Sequence, residues 1–136
     1  MRVFLDANIL FSAAKSDGAV RRMLRLLLQG GHECVADTYV LAEARRNLAA
    51  KGSVALDALE ALTQEVSVAA CLYGDASAEV LDWLPDKDRP VLAAAIALGC
   101  DTLVTGDRTH FGAGYGNAFA GVTIHSPRSL IERVFS

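Results

Sequence analysis

Four acidic residues stand where carboxylate chemistry is easiest to build. Asp6 follows the apolar run Val3-Phe4-Leu5, and Asp107 follows Leu103-Val104-Thr105-Gly106. The stretches Arg2 to Leu5 and Asp101 to Thr105 read as strands, so each carboxylate sits at a strand's carboxyl end. If the two strands are neighbours in a parallel sheet, both carboxylates share the edge where open α/β sheets gather their ligands. Asp88 closes the loop Asp86-Lys87-Asp88 ahead of a helix. Glu43 lies in the first turns of the helix that follows a strand at Glu33 to Ala36. Both positions fall near the same edge. Four carboxylates in one place repel, and without a cation at least one takes up a proton. A hard divalent ion such as Mg²⁺ or Mn²⁺ resolves the repulsion through oxygen ligands. It also activates water and stabilises charge on a phosphoryl group. Such a set suits phosphodiester cleavage better than acyl transfer.

Each residue taken singly has a plainer reading. Asp6 ends a strand and caps the following turn, although Asn8 is free to do that capping. Glu43 is a solvated helix residue, yet Leu41, Ala42, Ala44 and Leu48 surround it with apolar neighbours, where a charge needs a reason. Asp88 is a helix cap, and Asp107 a turn residue behind Gly106. Arg45 and Arg46 flank Glu43 and can meet phosphates, although each taken singly reads as part of a solvated helix face. Arg89 and Arg108 adjoin the acidic positions and are better placed to meet phosphates. Trp83 and Tyr73 pack, or mark a partner surface.

The elements that must position these groups alternate. After the strand Arg2 to Leu5, a helix or turn runs Ile9 to Ala14, capped by Asn8. Gly18 to Gln29 is an amphipathic helix with Val20, Leu24, Leu27 and Leu28 on one stripe, stopped by Gly30-Gly31. Asp37 or Thr38 caps a helix to about Ala50. A helix over Ser53 to Gln64 and a strand around Val66 to Val68 follow. Ser77 to Leu84 reads as a helix broken by Pro85. Pro90 opens the next helix, which Gly99 closes after Leu98. Arg108 to Gly121 reads as a mobile loop beside the acidic edge, with Gly112, Gly114, Gly116 and Gly121. Val122 to Ile124 is a last strand, and Ser126-Pro127 opens a final helix to about Val134. Strand and helix in alternation imply a parallel sheet with helices on both faces. A chain of 136 residues without repeat or linker fits a single domain over 1–136.

Composition excludes several classes. A net charge of −3 rules out a generally basic nucleic-acid binder, so nucleic acid would need a local basic patch. Cys34, Cys71 and Cys100 show no metal-ligand spacing and read as small buried hydrophobes in a reducing compartment. The apolar start is too short for a signal peptide, and Met23 to Leu28 is too short to span a bilayer. These features suggest a cytoplasmic protein without membrane association.

Four segments together resemble the acidic motifs of PIN domains. They are Val3-Phe4-Leu5-Asp6-Ala7-Asn8-Ile9-Leu10, Glu43 within Val40 to Leu48, Asp88 within Asp86 to Ala95, and Val104-Thr105-Gly106-Asp107. Each is weak alone, but their order and spacing match across most of the chain. The resemblance implies a three-layer α/β/α fold around a mainly parallel sheet. It implies Mg²⁺- or Mn²⁺-dependent cleavage of RNA, and the toxin role of a toxin–antitoxin pair of the VapC-like kind. By it Asp6, Glu43, Asp88 and Asp107 are the metal-site and catalytic carboxylates, with Asn8 and Thr105 as supporting groups. Either Asp86 or Asp88 can serve, and Asp88, next to Arg89-Pro90, aligns better. Arg45, Arg89 and Arg108 are candidate phosphate contacts. His110 and Phe111 match the basic or aromatic residues that follow the fourth motif.

Other classes fit less well. A haloacid-dehalogenase-like phosphatase wants aspartate where Asn8 stands. A receiver domain wants an acidic residue after the middle strand, where Ala69 stands. A non-catalytic PIN module that binds RNA or protein is the alternative, and its mark would be a missing carboxylate. Apolar helices leave surface for a homodimer or an antitoxin groove.

Overall fold

The computed structural model describes residues 1–70 and 78–135. The helix start expected at Ser77, together with Cys71, Tyr73 and Gly74, lies outside the described residues. The chain begins with β1 (Arg2–Leu5), α1 (Ala7–Lys15), α2 (Ala19–Gln29), β2 (Glu33–Asp37), α3 (Thr38–Ala49), α4 (Ser53–Thr63) and β3 (Ser67–Ala69). It continues with α5 (Ala78–Leu81), α6 (Arg89–Ala97), β4 (Thr102–Val104), α7 (Arg108–Phe111), β5 (Ala118–Phe119), β6 (Val122–His125) and α8 (Pro127–Phe135).

The strands form one sheet in the order β3-β2-β1-β4-β6-β5. All neighbours are parallel except β5 and β6. From β1 the chain steps outward through β2 to β3, then crosses back to β4 on the other side of β1. Right-handed crossovers in opposite directions put their helices on opposite faces. Helices α1 to α4 accordingly pack on one another, while α5 and α6 belong to the return crossover. The result is the three-layer α/β/α arrangement expected from the alternation.

β1 is buried from Val3 to Leu5, as is β4 throughout. Covered on both faces, both read as continuous apolar runs. Phe4, Leu5, Leu10, Met23, Leu27, Leu48, Leu59 and Leu92 anchor the core with no accessible surface. Cys34 and Cys100 are buried free thiols within it.

Two sequence expectations change. Asp6, not Asn8, caps α1, because its Oδ1 accepts the Ala7 N–H at 2.7 Å. The stretch Arg108 to Gly121 is not an open loop. It holds α7, a 3₁₀ turn at Gly112–Gly114 and β5. Its glycine content suggested mobility, but the aromatic residues decide. Phe111 is fully buried, and Trp83 lies edge-on to Phe111 and stacked on Phe119 at 4.8 Å. Gly114 is needed for space, since a Cβ there would stand 2.5 Å from Trp83 Cη2.

Candidate active site

β1 and β4 are neighbours, with Leu5 opposite Val104. The next residue on each strand is polar and buried: Asp6 on one, Thr105 on the other. Because the crossovers leave β1 and β4 in opposite directions, a crevice opens beyond their carboxyl ends. The Asp6 N–H continues the ladder to Val104 O at 3.2 Å. Thr105 Oγ1 donates to Asp6 Oδ2 at 2.8 Å, and Asn8 Nδ2 donates to the same oxygen at 3.1 Å. Asn8 Oδ1 accepts the Gly106 N–H at 2.8 Å, tying the loop after β4 to α1. Thr105 Oγ1 also accepts the Asp107 N–H at 3.2 Å. Asn8 and Thr105 thus hold Asp6 and fix the backbone on either side of it.

A cavity of about 740 Å³ opens here, and Asp6, Glu43, Asp88 and Asp107 all line it. They come from the end of β1, the middle of α3, the start of α6 and the loop after β4. Burial is the main cause that pushes the Asp6 carboxyl up, to about 6. The hydrogen bonds from Thr105 and Ala7 oppose the rise, and the charges of Glu43 and Asp88 add to it. Burial likewise raises the Asp88 carboxyl, with His110 and Lys87 opposing.

Asp88 occupies the cap position of α6, but its side chain makes no capping hydrogen bond. That leaves the carboxylate for the cavity. Asp86 does not line the cavity; its side chain is 93% exposed and pairs with Arg89 at 2.8 Å. Asp107 caps α7 by accepting the His110 N–H at its Oδ1, 3.1 Å away. Its other oxygen, Oδ2, lies 2.8 Å from His110 Nδ1, and Asp88 Oδ2 lies 2.9 Å from the same nitrogen. Neither close approach has hydrogen-bond alignment, and His110 Nδ1 and Asp88 Oδ2 are buried with no hydrogen-bond partner.

This donor set fits a divalent ion. The ligating atoms of Asp88, Asp107 and His110 all lie within 4.8 Å of one another. An octahedral shell with bonds of about 2.1 Å has edges of about 3 Å, close to the two observed N···O separations. Asp6 and Glu43 line the same cavity but fall outside this three-residue group.

The basic residues sort differently from the sequence expectation. Arg45 turns to α4, where Nε and Nη2 both donate to Glu60 Oε1. Arg89 is engaged by Asp86 and by the carbonyls of Leu84 and Asp82. Arg108 is exposed and, like the other two, is absent from the cavity lining. The lining includes Arg46, Asn47, Lys51 and Lys87 instead. Arg46 and Asn47 stand three and four residues after Glu43 on α3, the spacing of one helix face, and Lys51 follows just past the helix end. That spacing was the available signal. Lys87 is set by its backbone, whose carbonyl accepts the Tyr39 hydroxyl at 3.0 Å.

Among the described residues, no helix is long and apolar enough to cross a membrane. No curated protein sequence matches the chain significantly. Solved structures share its fold at low identity. A chain of VapBC2 from Rickettsia felis, solved bound to a DNA fragment from their promoter, superposes with a TM-score of 0.70 at 18% identity, covering 93% of this chain and 98% of that one. VapBC-1 from nontypeable Haemophilus influenzae gives 0.61 at 16% identity, covering 94% and 99%. VapC20 from Mycobacterium tuberculosis, a sarcin-ricin loop cleaving toxin, gives 0.56 at 17% identity, covering 85% and 98%. A family model described as PIN domain matches residues 2–109, a span holding all four carboxylates. With that match and this sheet order, the chain belongs to the PIN domain family.

Proposed function

We propose that this protein is a divalent-metal-dependent endoribonuclease and the toxin component of a toxin–antitoxin pair. One observation carries the reading: carboxylates from four distant segments line one cavity together with Arg46, Lys51 and Lys87. Asp6, Glu43, Asp88 and Asp107 are the proposed ligands of Mg²⁺ or Mn²⁺. When bound, such an ion supplies a more acidic water and offsets charge on the phosphoryl group.

The chain's own residues do the positioning. Thr105 and Asn8 orient Asp6 and keep its carboxylate turned to the cavity. Arg46, Lys51 and Lys87 offer cationic contacts for the RNA backbone, drawing a polyanion to an otherwise acidic site. Arg89 and Arg108 keep a lesser role at the periphery, and Arg45, held by Glu60, takes none. The likeness to the VapBC structures supports a cognate antitoxin as partner; a homodimer in the cytoplasm completes the proposal.

The test is cleavage of a structured RNA panel by the purified protein, with and without Mg²⁺ or Mn²⁺. Cleavage that needs the ion and disappears in both Asp6→Asn and Asp107→Asn supports the reading. Equal cleavage by the wild type and both variants overturns it. Metal-free RNA binding without cleavage in any ion favours the non-catalytic module instead.

A further inference from the structure

A PIN-type cluster of carboxylates asks only for oxygen ligands, yet here an imidazole nitrogen stands between two of its members, Asp88 and Asp107. His110 Nδ1 lies 2.8 Å from Asp107 Oδ2 and 2.9 Å from Asp88 Oδ2. An ordinary ion pair would align a ring N–H with one of the oxygens. Neither approach has that alignment, and the nitrogen is buried without a hydrogen-bond partner. Two N···O separations near the edge length of a metal shell, with His110 Nδ1 and Asp88 Oδ2 left without a hydrogen-bond partner, make the arrangement expected around a shared cation.

The placement of the ring is built in. Asp107 caps α7 through the His110 N–H. Phe111, the next residue, is fully buried against Trp83. The helix is therefore pinned on both sides of His110, and the ring is held against Asp88 and Asp107.

We propose that His110 is itself a metal ligand, donating through Nδ1 between Asp88 and Asp107, and that this nitrogen tilts the site from Mg²⁺ towards first-row transition ions. The inference rests on the metal-dependent nuclease reading above. Mg²⁺ is a hard cation that takes oxygen, whereas an imidazole nitrogen adds affinity for transition ions. The described chain's other histidines are occupied elsewhere: His32 Nδ1 contacts the N-terminal amine, and His125 Nδ1 contacts Ser129.

The probe is Mn²⁺ bound to the full chain. Pulsed electron paramagnetic resonance of the Mn²⁺-loaded wild type should show nitrogen coupling from a coordinated imidazole, and His110→Ala should lose it. Calorimetric titration should show His110→Ala weakening Mn²⁺ binding by on the order of tenfold or more, with Mg²⁺ binding changed far less. If His110 only pairs with the two carboxylates, its removal frees them, and both ions bind as tightly as before or tighter. That result overturns the proposal. If His110→Ala does not fold by circular dichroism, the wild-type nitrogen coupling decides alone. Mn²⁺ that binds without nitrogen coupling overturns the role of His110 and leaves the nuclease reading standing. No Mn²⁺ binding at all overturns both.

Discussion

The Thr105 hydroxyl reaches across from the end of β4 to donate to Asp6 Oδ2 at 2.8 Å, joining residues 99 positions apart. Thr105 is fully buried and Asp6 is 5% exposed, so water cannot replace this bond. The same hydroxyl oxygen accepts from Asp107 N and Asn8 Nδ2. One side chain therefore braces three of the groups that shape the cavity.

Thr105→Val keeps the shape and removes that brace. A hydrogen bond to a buried charged group contributes about 2 kcal/mol, so the variant should lose roughly that much in urea unfolding at pH 7. Metal affinity should fall by about 10- to 100-fold, as for other groups that orient ligands. Thr105→Ser should recover most of both. Wild-type affinity in the valine variant would show that Asp6 needs no such support.

Asp6 links stability to pH. Its carboxyl is held at about 6 against an ordinary 3.8, so the folded protein keeps a proton that the unfolded chain releases. The stabilisation is fully present below the ordinary value and is lost as pH rises through about 6. Between those limits the metal-free protein should lose on the order of 3 kcal/mol. Urea titrations in chelator from pH 4 to 8, wild type against Asp6→Asn, isolate the effect. A difference between the two that does not change with pH contradicts it. Added Mg²⁺ at pH 7 should restore stability to the wild type by binding only the folded state.

Arg46 and Lys51 should matter to RNA where Arg45 does not. In an Asp6→Asn background, which binds without cutting, Arg46→Ala and Lys51→Ala should each weaken binding. The slope of log affinity against log salt should also become shallower by about 0.7 for each cation removed from single-stranded RNA. Arg45→Ala should leave both unchanged, since its guanidinium is held by Glu60. Fluorescence anisotropy against salt concentration measures this, and an equal weakening for all three variants would place the RNA path elsewhere.

Gly114→Ala tests whether the segment after α7 is a packed element. The new methyl would meet Trp83 at 2.5 Å, and that ring is fixed by Phe111 and Phe119. Forcing the aromatic cluster apart should cost about 1–3 kcal/mol, read as a lowered Tm. An unchanged Tm would mean that the ring moves freely.

The strands that carry Asp6 and Asp107 were legible because both are buried on two sides and write themselves as apolar runs. The carboxylates were legible because each stands behind such a run or ahead of a helix, and order along the chain did the rest. Three things were not. The choice between Arg45 and Arg46 depends on which way α3 turns, and only the partner of Arg45 on α4 decides that. The choice between Asp86 and Asp88 depends on the local path of the loop between α5 and α6. The fold of Arg108 to Gly121 depends on Trp83, which lies far away in sequence, so its glycines suggested freedom that the aromatic residues remove.

The central position of β1 also sets a clock. Asp6 is made well before β4, the strand that completes its surroundings. At about 5 to 20 residues per second, Thr105 follows Asp6 off the ribosome by roughly 5 to 20 seconds. Until then β1 lacks one of its two neighbours, and the acidic wall of Asp88 and Asp107 has nothing to face. Through that interval the four carboxylates of the proposed site are not yet together.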